Sequence, residues 1–216
     1  MTQYMIHTCN SRIWYVEQFL VPALKEQGIK NVIVYNDTNN EGQLRSLLKS
    51  YDLTNDKDTW HLQDDIVISK HFRKTAESYT EGIACGFCNS FSKGRPGFVE
   101  LNSMWYSMPC IRIPGDIFRY FINWLYNPVT QRKFKHYFAE NKHDDVLLEL
   151  FLKEQFPHMQ VYNIAPNMVN HIDHLLGGSL INKDRNKEPS ELMATYWEEP
   201  DVLQDIAVKL QERRKA

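Results

Sequence analysis

The chain has 216 residues, of which 43% are hydrophobic and 24% charged, and its formal net charge is −2. That length buries a core without disulfide or metal staples, and the charge balance excludes a globally basic binder of nucleic acid or of anionic membrane. There is no apolar run of the ~18 residues that a membrane-spanning helix requires, and the opening MTQYMIHTCNSR lacks the charged-then-apolar layout of a secretion signal.

The first strand is expected in QYMIHT, residues 3–8, followed by the polar stretch CNSR. IWYVEQFLVPALKEQG reads as an amphipathic helix with Trp14, Val16, Phe19, Leu20 and Leu24 on one face, closed by Gly28. IKNVIVYND is a second, β-branched strand and EGQLRSLLKSYDL a second helix. TWHLQDDIVIS reads as a third strand, with Asp64 and Asp65 inside it or at its end, and SKHFRKTAESYTEG as a short helix after a Ser cap. This β-α-β-α-β-α alternation predicts an α/β fold: a mixed, mostly parallel sheet with helices on both faces. Such sheets bind ligands at the carboxyl ends of their strands. The polar tips 7–12, 36–37 and 64–65 fall at those ends and are expected to converge on one crevice.

The middle of the chain is less regular. GIACGFCNSF reads as a strand, SKGRPGFVELNSMW as loop, and CIRIPGDIFRYFINWLYN as a short strand and an aromatic helix. A helix is expected from about Asp144 to Gln155, opened by acids that suit its dipole. MQVYNIAPNMVNHIDHLLGGSLIN gives one or two strands and a loop, and residues 182–216 a charged helical extension. Residues 1–181 are read as a single domain, with a ligand half at about 1–90 and a second half at about 91–181. The four cysteines, Cys9, Cys85, Cys88 and Cys110, read as reduced thiols of a cytoplasmic protein. Cys85-Gly86-Phe87-Cys88 is followed by loop rather than helix, so buried free thiols suit it better than a redox pair.

The aspartate pair raises the chemical question, because a buried carboxylate is costly unless something pairs with it. Two acids at a strand tip suit a divalent cation, and a carboxylate joined by an imidazole suits Mn²⁺ better than Ca²⁺. His171, after an apolar strand, is the expected imidazole, with His174 as a rival ligand. The plainer reading is a turn whose carboxylates accept backbone N–H groups. Asp144 and Asp145 read equally as a helix N-terminus, Asp37 as a turn residue and Arg12 as an exposed helix-start residue. Trp105 and Tyr106, in a loop, are candidates for stacking on an acceptor. Lys93 and Arg95, between glycines, are placed to meet a phosphate.

Four segments in order resemble glycosyltransferases of the GT-A type, which use nucleotide-sugar donors and have a Rossmann-like sheet. WHLQDDIVIS resembles their Asp-X-Asp segment, with Gln63 where many relatives carry an acid. APNMVNHIDHLLGGSL resembles their closing His-containing segment, IVYNDTNN the tip that meets the donor's base, and NKHDDVLLELFL the acidic start of the base-bearing helix. The resemblance spans roughly residues 3–181 and implies a small enzyme, similar to some phage sugar transferases, which would then act in a host cytoplasm. It implies that Asp65 and His171 hold a divalent metal, Mn²⁺ or Mg²⁺, and that Asp64 contacts the donor's ribose or sugar. Thr8, Asn10 and Arg12 would line the nucleotide pocket, and Asp37 would read the base. Asp144 or Asp145 would deprotonate an acceptor hydroxyl in an inverting reaction. The donor is expected to be a UDP-sugar, and the acceptor a glycan, a protein or a hydroxymethylated DNA base. A flipped base would meet Lys93, Arg95 and Arg112. The alternatives are a nucleotidyltransferase and a non-catalytic nucleotide- or sugar-binding module. The first lacks its usual Gly-rich N-terminal loop, since residues 1–30 contain only Gly28.

Overall fold

The computed structural model describes residues 2–87, 97–98, 108–140, 143–159, 161–177 and 197–215. Strand β1 (Gln3–Cys9) leads into helix α1 (Ile13–Tyr15), a π-helical turn (Val16–Leu20) and α2 (Val21–Glu26). The single amphipathic helix expected here is thus interrupted. Pro22 has no N–H for the carbonyl four residues back, and its ring crowds that carbonyl. The helix widens instead, and the Val21 N–H donates to the Val16 carbonyl, an i to i−5 step. Strand β2 (Val32–Asp37) and helix α3 (Gln43–Thr54) follow, then β3 (Thr59–Gln63) and β4 (Ile66–Ile68).

The remaining elements are α4 (Phe72–Ser78), β5 (Ile83–Cys85), β6 (Gly97–Phe98), β7 (Cys110–Ile113) and α5 (Gly115–Tyr126). After them come α6 (Pro128–Lys133), α7 (Lys135–Glu140), α8 (Asp144–Gln155), β8 (Val161–Asn163), β9 (Val169–His171) and α9 (Pro200–Lys215). The main sheet has the order β2-β1-β3-β7-β5-β8-β6. β1 pairs in parallel with β2 and β3, and β5 with β8. β7 runs against β3 and β5, and β6 against β8. The sheet is therefore mixed, with most strands pointing one way, as the alternation implied.

Side chains alternate across this sheet. Tyr4, Ile6, Trp60, Leu62, Ala84 and Cys110 face one core with α1, α2, α4 and α9. Ile83, Cys85, Ile111 and Ile113 face the other with α3, α5 and α8. Cys85 and Cys110 are buried free thiols on opposite faces, while Cys88 lies outside the described residues.

One expectation is corrected. TWHLQDDIVIS is two strands, not one: β4 leaves the main sheet at the aspartates and pairs antiparallel with β9 as a separate ribbon. All three β4 residues are buried, so its apolar run is explained by core contact on both faces. The C-terminal helix packs on the first core. Ile206 and Leu210 of α9 are buried in the first core, the Lys70 N–H donates to Glu199 Oε2 at 2.7 Å, and the Arg213 guanidinium lies 3.7 Å from the Trp14 ring centroid.

Helix α5 starts against the loop that feeds β3. The Gly115 N–H donates to Asp58 Oδ1 at 3.0 Å, and a Cβ on Gly115 would lie 1.9 Å from the Asp56 carbonyl oxygen. Backbone on both sides leaves no flexible group to give way. Gly115→Ala should therefore destabilise the protein by about 3 kcal/mol in urea unfolding; an unchanged midpoint would contradict this packing.

Candidate functional site

The register of the sheet sets out the site. β1 pairs with β2 as far as Cys9 opposite Asp37, and with β3 as far as His7 opposite Gln63. The three tips therefore end together, and their side chains join across them. The Thr8 hydroxyl donates to Asp64 Oδ2 at 2.8 Å. Asn10 Nδ2 donates to the Thr38 carbonyl at 3.0 Å and receives a bond from Asn36 Nδ2 at 3.0 Å.

The partner of the aspartates is Arg12. A turn after β1, closed by the Arg12 N–H on the Cys9 carbonyl at 3.0 Å, returns this residue over the tip of β3. Its Nη1 lies 3.2 Å from Asp64 Oδ1 and also touches Asp65 Oδ2. The side chain is 4% exposed, so it is a buried counter-ion and not the exposed helix-start residue that the plainer reading suggested. Burial works against its charge, but the two carboxylates overcome that and hold the guanidinium firmly protonated. Burial and the charge of Asp65 push the Asp64 carboxyl up to about 6, against the pull of Arg12 and Thr8.

His171 reaches the same cluster through the small ribbon. Ile66 stands opposite His171 in the β4–β9 register, and the Ile172 N–H donates to the Asp65 carbonyl at 2.8 Å. His171 Nε2 then lies 3.3 Å from Asp65 Oδ1, and its Nδ1 lies 3.2 Å from Asp173 Oδ1. Burial alone would lower the imidazole pKa, but Asp65 and Asp173 together raise it. His174, the rival ligand, has its Nδ1 4.0 Å from Asp173 Oδ1.

Asp65 Oδ1 is buried and accepts no hydrogen bond. Two neighbouring ligand atoms about 2.1 Å from one ion stand roughly 3 Å apart, so the spacing of this oxygen and His171 Nε2 fits a divalent cation. Among the described residues no three His, Cys, Asp or Glu side chains are grouped to hold a metal ion. A cation held by Asp65 and His171 would take its remaining ligands from water or from phosphate, as small divalent ions commonly do.

The other expected residues are placed differently. Asp37 Oδ2 accepts from the Gly42 N–H and the Ser46 hydroxyl, each at 3.0 Å. Burial pushes this carboxyl up, but those bonds and the N–H groups of Glu41 and Asn39 outweigh it and hold it below its ordinary value. Its acceptor capacity is thus directed at the β2–α3 turn. Asp144 and Asp145 open α8, whose apolar residues pack in the second core. Burial and the neighbouring Asp145 push Asp144 up to about 7. Arg112 lies mid-strand in β7, where it donates to Asp58 Oδ2 and to the Gly82 and Thr80 carbonyls and has 1% exposure. That burial excludes a role against a flipped base. Trp105 and Tyr106, with Lys93 and Arg95, lie outside the described residues.

Two contributors went unforeseen. The Tyr15 hydroxyl donates to the Ile66 carbonyl at 2.8 Å, fixing the backbone just past the aspartates. Asp173 faces His171 from the following turn. The second was visible as an acid two residues after the histidine in NHIDH. The first joins residues 51 positions apart and left no local signal.

No protein-family model matches the chain. No curated protein matches it either. Solved structures similar to it at low identity include the following three. One is of a Bacillus anthracis protein described as a candidate glucose-1-phosphate thymidylyltransferase, in complex with sucrose. It shares 9% identity over 79% of this chain and 89% of that one, with a TM-score of 0.47. The S. aureus TarS 1–349 structure shares 14% identity over 81% of this chain and 61% of that one, with a TM-score of 0.48. The UTP-bound UGPase of Acinetobacter baumannii shares 8% identity over 84% of this chain and 90% of that one, with a TM-score of 0.44. No helix among the described residues is long and apolar enough to cross a membrane.

Removing Arg12 leaves the buried Asp64 carboxylate without its counter-ion. Arg12→Met should cost about 3–5 kcal/mol of stability in urea unfolding at pH 7, and the loss should shrink towards pH 4 as Asp64 protonates. A loss independent of pH would show that packing, not charge, is what the residue supplies. Asp144 gives the opposite sign. Its carboxyl is raised on folding, so the folded chain binds more protons than the unfolded one between about pH 4 and 7. Stability from this group is lost as pH rises through that window, and Asp144→Asn should flatten that part of the pH–stability curve.

Proposed function

We propose that the protein is a metal-dependent glycosyltransferase that moves a sugar from a nucleoside-diphosphate sugar, a UDP-sugar first among them, to an acceptor hydroxyl. The observation that carries this reading is the approach of Asp65 Oδ1 and His171 Nε2 to 3.3 Å. The two residues lie more than a hundred positions apart and belong to the two segments that the GT-A resemblance assigns to one metal site. The cluster stands at the carboxyl ends of the parallel strands, where sheets of this kind bind ligands.

Each residue has a distinct task in this proposal. Asp65 and His171 would hold a Mn²⁺ or Mg²⁺ ion. When bound, that ion neutralises the charge developing on a departing diphosphate. Arg12 pairs with Asp64 and Asp65 and would fix both carboxylates in place. Thr8 and Arg12 hold the Asp64 carboxylate, which would contact the donor's ribose or sugar. Asn10, joined to Asn36 and Thr38, lines the adjoining edge.

The reaction forms a bond between the acceptor oxygen and the anomeric carbon and breaks the bond from that carbon to the diphosphate oxygen. The acceptor proton passes to a carboxylate, with Asp144 or Asp145 as the assigned base and inversion as the stereochemical result. A base with a pKa near the working pH is well matched to that task. The acceptor is a glycan, a protein or a hydroxymethylated DNA base.

Thermal unfolding in the presence of UDP and Mn²⁺ tests the reading. Ligand at 100 times its Kd stabilises the native state by about 2.7 kcal/mol, which corresponds to about 5–10 °C in Tm for a chain of this size. That shift should vanish with EDTA and in Asp65→Ala, while the unliganded variant keeps a cooperative transition. A shift of equal size without metal contradicts the proposal. Product formation from a nucleoside triphosphate and a sugar 1-phosphate, in place of donor consumption, would show a nucleotidyltransferase instead.

A further inference from the structure

We infer that Asp173 is a positioning residue for the metal-holding imidazole: it fixes the ring of His171 so that Nε2, and not Nδ1, is turned to Asp65 as a ligand. The inference rests on the metal-dependent reading above, and adds to it a residue that neither the sequence motifs nor that reading assigns.

The geometry is that of a carboxylate, an imidazole and a second carboxylate in line. Asp173 Oδ1 lies 3.2 Å from His171 Nδ1, and Asp65 Oδ1 lies 3.3 Å from His171 Nε2 on the far side of the ring. The Nδ1 contact is bent away from ideal hydrogen-bond geometry, so it orients chiefly by charge and proximity. Both side chains are about 11% exposed, and little water is available to compete for either nitrogen.

Asp173 is itself held in place. Its Oδ1 also accepts the His174 N–H at 2.7 Å, at the start of the 3-10 turn Asp173–Leu176. The turn is anchored by the Leu175 N–H on the Ile172 carbonyl at 2.9 Å, and Ile172 is fully buried. The acid therefore cannot follow the ring if the ring rotates. With Nδ1 facing Asp173, Nε2 is the nitrogen turned to Asp65, where a cation between them would find it. A carboxylate behind a ligating histidine fixes its tautomer and raises its donor strength, and loss of such a partner typically costs 10–100-fold in metal affinity.

The test is titration of Mn²⁺ into the full chain with UDP present, read by calorimetry. Asp173→Asn should weaken Mn²⁺ binding about 10–100-fold, and Asp173→Glu should restore part of the loss, whereas UDP affinity without metal stays the same. Unchanged Mn²⁺ affinity in Asp173→Asn, with Asp65→Ala still abolishing it, overturns this inference and leaves the metal-dependent reading intact. Absence of Mn²⁺ binding in the wild type overturns both.

Discussion

A single guanidinium, buried between two carboxylates from another part of the chain, is the constraint on which the strand-tip cluster of this fold depends. Asp64 and Asp65 follow a buried strand and precede another, so Asp64 is buried and Asp65 largely so. Ion pairs of this kind add little net stability over an apolar replacement, but breaking one leaves an uncompensated charge. Arg12 must therefore arrive over the tip of β3 whenever the chain folds. That requirement governs the turn after β1, the start of α1 and the place where β4 departs from the main sheet.

The departure of β4 has a functional consequence. A chain continuing in the main sheet would have carried Asp65 away from the C-terminal half. By turning aside at the aspartates, the chain pairs β4 with β9 and sets the Asp65 backbone against Ile172. Tyr15 holds the other side of that corner through the Ile66 carbonyl. The rigid ribbon joins residues distant in sequence, and its registry leaves no freedom for His171 to sit elsewhere. The apolar residues of α8, by contrast, belong to the core on the other face of the sheet.

Much of this was legible in the sequence, and the reasons are physical. β1, β3 and α8 carried periodicities that matched their surroundings, and the polar residues after each strand marked the ligand end. The joining of Asp65 with His171 followed from a family resemblance, not from local pattern. What stayed hidden was long-range. An apolar run such as IVI looks the same in a sheet or in a two-stranded ribbon. Nothing near Arg12 announces that its charge is buried, because the partners lie more than fifty residues away. Asp37 looked like a reader of ligand, yet its bonds close a turn. The antiparallel β7 could not be told from a parallel strand by its own residues, since hydrogen-bond direction is set by its neighbours.

The central claim is that carboxylate and imidazole from opposite halves of the chain share one divalent ion. Pulsed electron paramagnetic resonance of Mn²⁺ bound with UDP reads this directly, because a coordinated imidazole couples its nitrogen to the metal electron spin. The account predicts a coupling from one histidine nitrogen in the wild type that disappears in His171→Gln. A bound Mn²⁺ with no nitrogen coupling, or one that survives that substitution, would contradict it.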